Sequence, residues 1–225
     1  MYSKYFKIAV VIVVLGLLLS GCRRLGVEQL RGNGQMVDEV FTFNGLITKI
    51  DVTGVPADFI ITSENSGNVT YVIDSNLIDY VEITHRNGVL SISTADNISI
   101  SNSGIVFNIR SAALSEINIT GAGNVKGNDD ISAETLKISI TGAGSAELSG
   151  AVEKLELNGD GAVQFNMRNL AAEDVVINLN GAGSAQVRAE RTLDISVAGA
   201  VSVVYWGNPG ITQSVAGLSN IVRGE

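Results

Sequence analysis

Ile138-Ser-Ile-Thr-Gly142-Ala-Gly144-Ser-Ala146 is the stretch that decides the fold, because the chain keeps repeating it. Close copies are Ile117-Asn-Ile-Thr-Gly121-Ala-Gly-Asn-Val125, Leu155-Glu-Leu-Asn-Gly159-Asp-Gly-Ala-Val163 and Ile177-Asn-Leu-Asn-Gly181-Ala-Gly-Ser-Ala185. Looser ones run from Ile195 to Val203 and from Gln213 to Ile221. Along Gly121, Gly142, Gly159, Gly181, Gly199 and Gly217, the numbering advances by 21, 17, 22, 18 and 18. A period of that size belongs to stacked repeats, in which each unit buries its apolar face against its neighbours.

Within a phrase, apolar residues stand four and two positions before the glycine with polar ones between them. That is the alternation of a strand with one face in a core. It resumes after the glycine through Val125, Ala146 and Leu148, Val163 and Phe165, Ala185 and Val187, Val203 and Tyr205. Gly-x-Gly between the two arms allows a sharp corner. Two arms and a corner make a coil, and stacked coils predict columns of like side chains. The expected inward columns are Ile117, Ile138, Leu155, Ile177, Ile195 and Ile119, Ile140, Leu157, Leu179, Val197, Val215. The outward columns are Asn118, Ser139, Glu156, Asn178, Ser196, Ser214 and Thr120, Thr141, Asn158, Asn180. These outward ladders read as solvated strand faces, or as a flat hydroxyl and amide surface suited to a glycan or another protein.

Composition agrees. The chain has 225 residues, 45% hydrophobic and only 17% charged, with 25 glycines against 2 prolines. Ile, Val, Thr, Ser and Asn dominate after residue 30, so the reading is all-β. The expected architecture is a single elongated β-solenoid, parallel β-helix-like, with a less regular N-terminal β cap. It spans residues 45–225, irregular over 45–110 and in regular repeats over 111–225. In the irregular part, Ile50, Val52 and Gly54 form an early coil, strands cover 57–63, 68–73 and 81–84, and residues 74–79 make a helical turn. Asn87-Gly88 predicts a two-residue hairpin turn, since both positions tolerate positive φ.

The N-terminal segment before Cys22 is of another kind. Lys4 and Lys7 precede an apolar run from Ile8 to Leu19, too short to span a bilayer comfortably and arranged like a secretory signal. Leu19-Ser20-Gly21-Cys22 looks like a bacterial lipobox, in which the cysteine is acylated (diacylglycerol, palmitate) and becomes the mature N-terminus. Cys22 is the sole cysteine, so no internal disulfide competes for it. The other reading is an uncleaved signal anchor with an incidental cysteine. The expectation is residues 1–21 as signal peptide, Cys22 as lipidation site, and 22–44 as a tether that includes Arg31-Gly-Asn-Gly-Gln35. The protein then sits in the cell envelope, anchored to a membrane and facing away from the cytoplasm.

Cleavage removes two lysines and no acid, leaving 13 basic against 23 acidic residues, a net charge of −10. That disfavours nucleic acid as a partner. Arg23 and Arg24 read as headgroup contacts beside the anchor.

Chemistry is sparse. His85 is the only histidine, no nucleophile motif accompanies it, and zinc has no ligand set. Asp160, in a slot where other copies carry alanine, lies on one coil with Glu156; such a pair is either exposed decoration or the carboxylates of a glycosidase or calcium site. The expectation is no catalytic residue, no cofactor and no metal. A β-helical polysaccharide lyase or hydrolase, and an envelope sensor or assembly subunit, stand as alternatives.

The Ile-x-Ile-Thr-Gly-Ala-Gly repeats, with Tyr205-Trp-Gly207-Asn-Pro209 and the closing Ser214-Val-Ala-Gly217 turn, resemble the bacterial family called the autotransporter adhesin head, or head GIN, domain. The resemblance covers about residues 45–221. It implies a β-solenoid on secreted or lipid-anchored envelope proteins with no established enzyme activity.

Overall fold

The computed structural model describes residues 26–101 and 104–225. Cys22, Arg23 and Arg24 lie outside the described residues. The protein is all-β: β1 (Glu28–Arg31), β2 (Met36–Thr42), β3 (Lys49–Thr53), β4 (Ala57–Thr62), β5 (Asn68–Asp74), β6 (Val81–Arg86), β7 (Val89–Thr94), β8 (Ile98–Ser101), β9 (Ile105–Arg110), β10 (Glu116–Trp206) and β11 (Gly210–Arg223). One 3₁₀ turn, Ile78–Tyr80, overlaps the end of the stretch 74–79 expected to be helical.

β10 has extended backbone over 91 residues. Straight, it would reach about 300 Å at about 3.3 Å per residue, so it must wind, and the glycines show where. A Cβ on Gly142 would come within 2.1 Å of the Gly121 carbonyl oxygen, one on Gly161 within 2.2 Å of Gly142, and one on Gly181 within 2.4 Å of Gly161. Gly199 sits on Gly181, and Gly217 on Gly199, in the same way. All six have φ between 100° and 124°, a region closed to side chains with a Cβ at such close quarters. Each corner therefore stacks on the one before it, and β11 pairs in parallel with the last winding, Ile195 with Gln213 and Val197 with Val215.

This corrects the register expected from the sequence. The third corner is Gly161, not Gly159, so the numbering advances from corner to corner by 21, 19, 20, 18 and 18. Leu157, not Leu155, belongs with Ile138 and Ile177, and Gly159 stands in the column of Ile140 and Leu179. Gly159 is buried, with Leu179 Cδ2 2.5 Å and Phe165 Cε2 3.3 Å from where its Cβ would be. Leu179 of the next winding and Phe165 of the same one fill the space that the missing side chain leaves, which keeps the core at close packing.

The dry interior runs the length of the body. Ile117, Ile119, Leu136, Ile138, Ile140, Leu155, Leu157, Phe165, Ile177, Leu179 and Val197 are all buried. At the far end Ile211 and Val215 of β11 are exposed because no further rung covers them, their partners Leu193 and Val197 being buried; Leu218 and Val222, opposite the exposed Ala200 and the half-buried Val204, are exposed as well.

A β-solenoid whose coils follow one another in chain order does not describe the first half. The sheet is mixed, in the order β2-β5-β9-β4-β10-β3-β7-β6 with β11 on β10. β3 lies between β10 and β7, and β4 between β10 and β9, all parallel. The chain thus makes a winding, drops below it, and climbs back above it at Glu116. Antiparallel pairs β2–β5, β5–β9 and β6–β7 finish that end. The β6–β7 turn is the expected hairpin, with Asn87 at φ 52° and Gly88 at φ 81°. A ring stack ties this end together: Phe59 on Phe107 at 5.5 Å, and Tyr71 on Phe107 at 5.2 Å.

The stretch read as a tether is part of the body from residue 28 onward. β1 pairs with β8 in a small separate sheet, and β2 with β5. Between them, Gly34 N donates to Asp74 Oδ1 at 2.6 Å, Asn33 Nδ2 to Ser75 Oγ at 3.0 Å, and Asn76 Nδ2 to the Arg31 carbonyl at 2.8 Å. Asp74 is buried, and the Gly34 bond satisfies a carboxylate oxygen that the fold has taken from water.

Candidate functional site

Outward residues of the winding form ladders that the corrected register makes continuous. Asn118, Ser139, Asn158, Asn178, Ser196 and Ser214 share one column; Thr120, Thr141, Asp160, Asn180, Ala198 and Ala216 share the next. Rungs bond to one another: Asn118 Nδ2 to Asp51 Oδ1 at 2.8 Å, Asn178 Nδ2 to Asn158 Oδ1 at 3.0 Å, Asn158 Nδ2 to Ser139 Oγ and Asn180 Nδ2 to Asp160 Oδ1, both at 3.4 Å. Such bonds hold the amides in fixed orientation from rung to rung. Ser139, Asn158, Asp160, Asn178, Asn180, Ser196 and Ser214 line an open groove of about 380 Å³. Its wall drops where Asn180 gives way to Ala198 and Ala216.

Glu156 and Asp160 are not brought together. Four extended residues separate their α-carbons by about 13 Å, whereas the carboxyls of a glycosidase stand about 5–9.5 Å apart. Each is engaged elsewhere. Glu156 accepts from Asn158 Nδ2 at 3.2 Å and pairs with Lys137 at 3.8 Å; Asp160 accepts from Asn180. Glu156 thereby closes a column of alternating charge, Lys49, Glu116, Lys137, Glu156, with Lys49 and Glu116 at 3.4 Å. The Lys49 ammonium, though partly desolvated, is held above its ordinary pKa by the Asp51 and Glu116 carboxylates.

His85 lies on β6. Its Nε2 is 3.1 Å from the Leu46 carbonyl oxygen and its ring packs on Phe43 at 4.4 Å, which is a structural role. Among the described residues no group of His, Cys, Asp and Glu is placed to hold a metal ion.

Two charged features were missed by sequence reasoning. Glu134, Glu153 and Glu173 line a second groove with Ala133, Ala151 and Ala171 as neighbours. At its edge Arg191 clasps Asp174, with Nε to Oδ1 at 2.9 Å, while Thr192 Oγ1 donates to the same oxygen at 2.6 Å. These hydrogen bonds, Arg191 first, pull the Asp174 carboxyl down to about 2. The signal was the near-equal spacing of the three glutamates along the chain, which becomes a column only when Gly161 is the corner.

The architecture and its surfaces define an all-β protein that carries polar ladders on its outward strand faces. The chain belongs to the family described as "Putative auto-transporter adhesin, head GIN domain", whose model matches residues 48–209. The match ends just before β11. Solved structures share the fold. A "putative adhesin" from Bacteroides fragilis aligns with a TM-score of 0.69 at 20% identity, over 87% of this chain and 100% of that one. A "putative adhesin" from Parabacteroides merdae gives 0.53 at 19% identity, over 88% and 100%. A "Putative lipid binding protein" from Parabacteroides distasonis gives 0.53 at 21% identity, again over 88% and 100%. No curated protein matches. Among the described residues no helix is long and apolar enough to cross a membrane.

Proposed function

We propose that this is a cell-envelope lipoprotein, anchored through Cys22, whose windings form a β-solenoid that acts as a non-catalytic recognition surface. The observation that carries this reading is the Asn178-to-Asn158 bond and its neighbours, which fix amides and hydroxyls at rung spacing along one open groove. A preorganised polar surface loses little side-chain entropy on binding. Its period suits an extended ligand that repeats polar groups, such as a surface glycan, ahead of a compact small molecule.

Binding of the purified protein to an array of bacterial and host glycans tests this, with envelope extracts as a second panel. Signal is expected that Asn158→Ala with Asn178→Ala weakens at a temperature well below the melting point of the variant, where it remains folded. Turnover of any polysaccharide in the same panel, or binding indifferent to these substitutions, would count against it. Anchoring is tested separately: Cys22→Ala is expected to leave an unprocessed precursor or to release the protein from membranes.

A further inference from the structure

The exposed large apolar side chains of the described residues fall into two groups at opposite ends of the body. Val27, Met36, Val40 and Leu46 belong to the N-terminal end; Ile211, Val215, Leu218 and Val222 belong to β11. Chain length decides between the ends.

β1 is held in place by its parallel pairing with β8, Glu28 opposite Ile98 through Arg31 opposite Ser101, and by the bonds of Asn33, Gly34 and Asn76 across to β5. β8 joins β7 to β9, which lie below the first winding. β1 therefore sits at the end remote from β11. Six residue steps separate Cys22 from Glu28, a span of at most about 22 Å when fully extended. The body is longer. From Ile92 the stack climbs through Val52, Ile119, Ile140, Gly159, Leu179 and Val197 to Val215, seven steps at about 4.8 Å, or about 34 Å. A link of about 22 Å holds β1 close to the membrane that carries Cys22, whereas β11 lies about 34 Å farther along the body.

We propose that the end formed by β1, β8 and the start of β2 lies against the bilayer surface. Val27, 63% exposed, and Met36, 43% exposed, then sit at headgroup level, and β11 points away. This rests on the Cys22 anchor reading. The lipids that fit are zwitterionic, since a chain of net charge −10 is repelled by an anionic surface. The protein is thereby seated on its membrane, with its ladders running outward from it.

The full lipidated chain, reconstituted in phosphatidylcholine and phosphatidylethanolamine vesicles, provides the test. The thiol of Cys22 is consumed by the anchor, so a Met36→Cys or Leu218→Cys variant carries one reactive site for an environment-sensitive fluorophore. Headgroup spin-labelled lipid should quench the probe at position 36 several-fold more than the probe at 218. A Gly/Ser insert of about 20 residues after Arg24, with a span of about 25 Å, should abolish that difference while the protein stays with the vesicles. Equal quenching at the two positions, or stronger quenching at 218, in vesicle-bound protein carrying labelled palmitate would overturn this inference alone. Absence of both palmitate and vesicle binding would overturn the anchor reading, and this inference with it.

Discussion

Leu179 fills the space that a side chain on Gly159 would need, its Cδ2 lying 2.5 Å from the position of the missing Cβ. One rung's bulk thus answers the next rung's gap, and the relation separates two glycines that look alike in sequence. At Gly159 the obstacle is the tip of a side chain that can swing, so Gly159→Ala is expected to cost about 1 kcal/mol. At Gly161 the obstacle is the Gly142 carbonyl oxygen at 2.2 Å, and φ is 115°. Gly161→Ala is expected to cost about 3 kcal/mol or more. Denaturant unfolding of the two variants reads this directly, and the reverse order would restore Gly159 as the corner.

Phe107 is the middle ring of the stack with Phe59 and Tyr71, fully buried where β4, β5 and β9 meet. Phe107→Ala should destabilise the protein by about 3–5 kcal/mol through the cavity it leaves. Phe107→Leu should cost less than half of that. A small effect of the alanine variant would show that the irregular end does not share the core of the windings.

Val197 and Val215 are partners one rung apart, 3% and 46% exposed. Val197→Lys would bury a charge in the spine and is expected to prevent folding or to cost several kcal/mol. Val215→Lys should change stability by less than about 1 kcal/mol. It should also reduce self-association, since a charge on an open edge strand discourages further pairing. Melting temperature and light scattering of the two variants make the comparison.

Asp174 is held ionised by Arg191 and Thr192, with its pKa lowered from 3.8 to about 2. A depressed carboxyl contributes stability above its unfolded pKa and loses it as pH falls through the folded one. The clasp should therefore be intact above about pH 4 and fail between about pH 4 and 2. In Arg191→Met the carboxyl should titrate nearer 3.8, which side-chain NMR would show. Because the pair is exposed, the effect on global stability should be small.

Asn158 bonds to Ser139 and Glu156 and accepts from Asn178, whereas Asn178 is more exposed and makes one of these bonds. Asn158→Ala is expected to cost about 1 kcal/mol, and Asn178→Ala about half of that or less. Thermal melts rank the two, and equal costs would mean that the ladder is held by its backbone alone.

Much of this was legible in the chain itself. Alternation around Gly121, Gly142 and Gly181 specifies half-buried strands and corners, because the period of two and the tolerance of positive φ are local properties. Asn87-Gly88 specifies its hairpin for the same reason. Even the misplaced corner left a trace, since Gly161-Ala-Val163-Gln-Phe165 matches Gly199-Ala-Val201-Ser-Val203. Choosing between Gly159 and Gly161 required knowing that Leu179 would fill the gap at 159, and that is a contact between neighbouring rungs that lie a full winding apart in the chain. Likewise, no local signal shows that β3 is covered above by β10 and below by β7, or that residues 28–42 join the body. Both depend on which apolar edges remain uncovered once the first winding has formed. Composition and periodicity determined that this protein is β, repetitive and acidic. Packing between distant segments decided the register of its ladders, the order of its strands and which of its ends stays open.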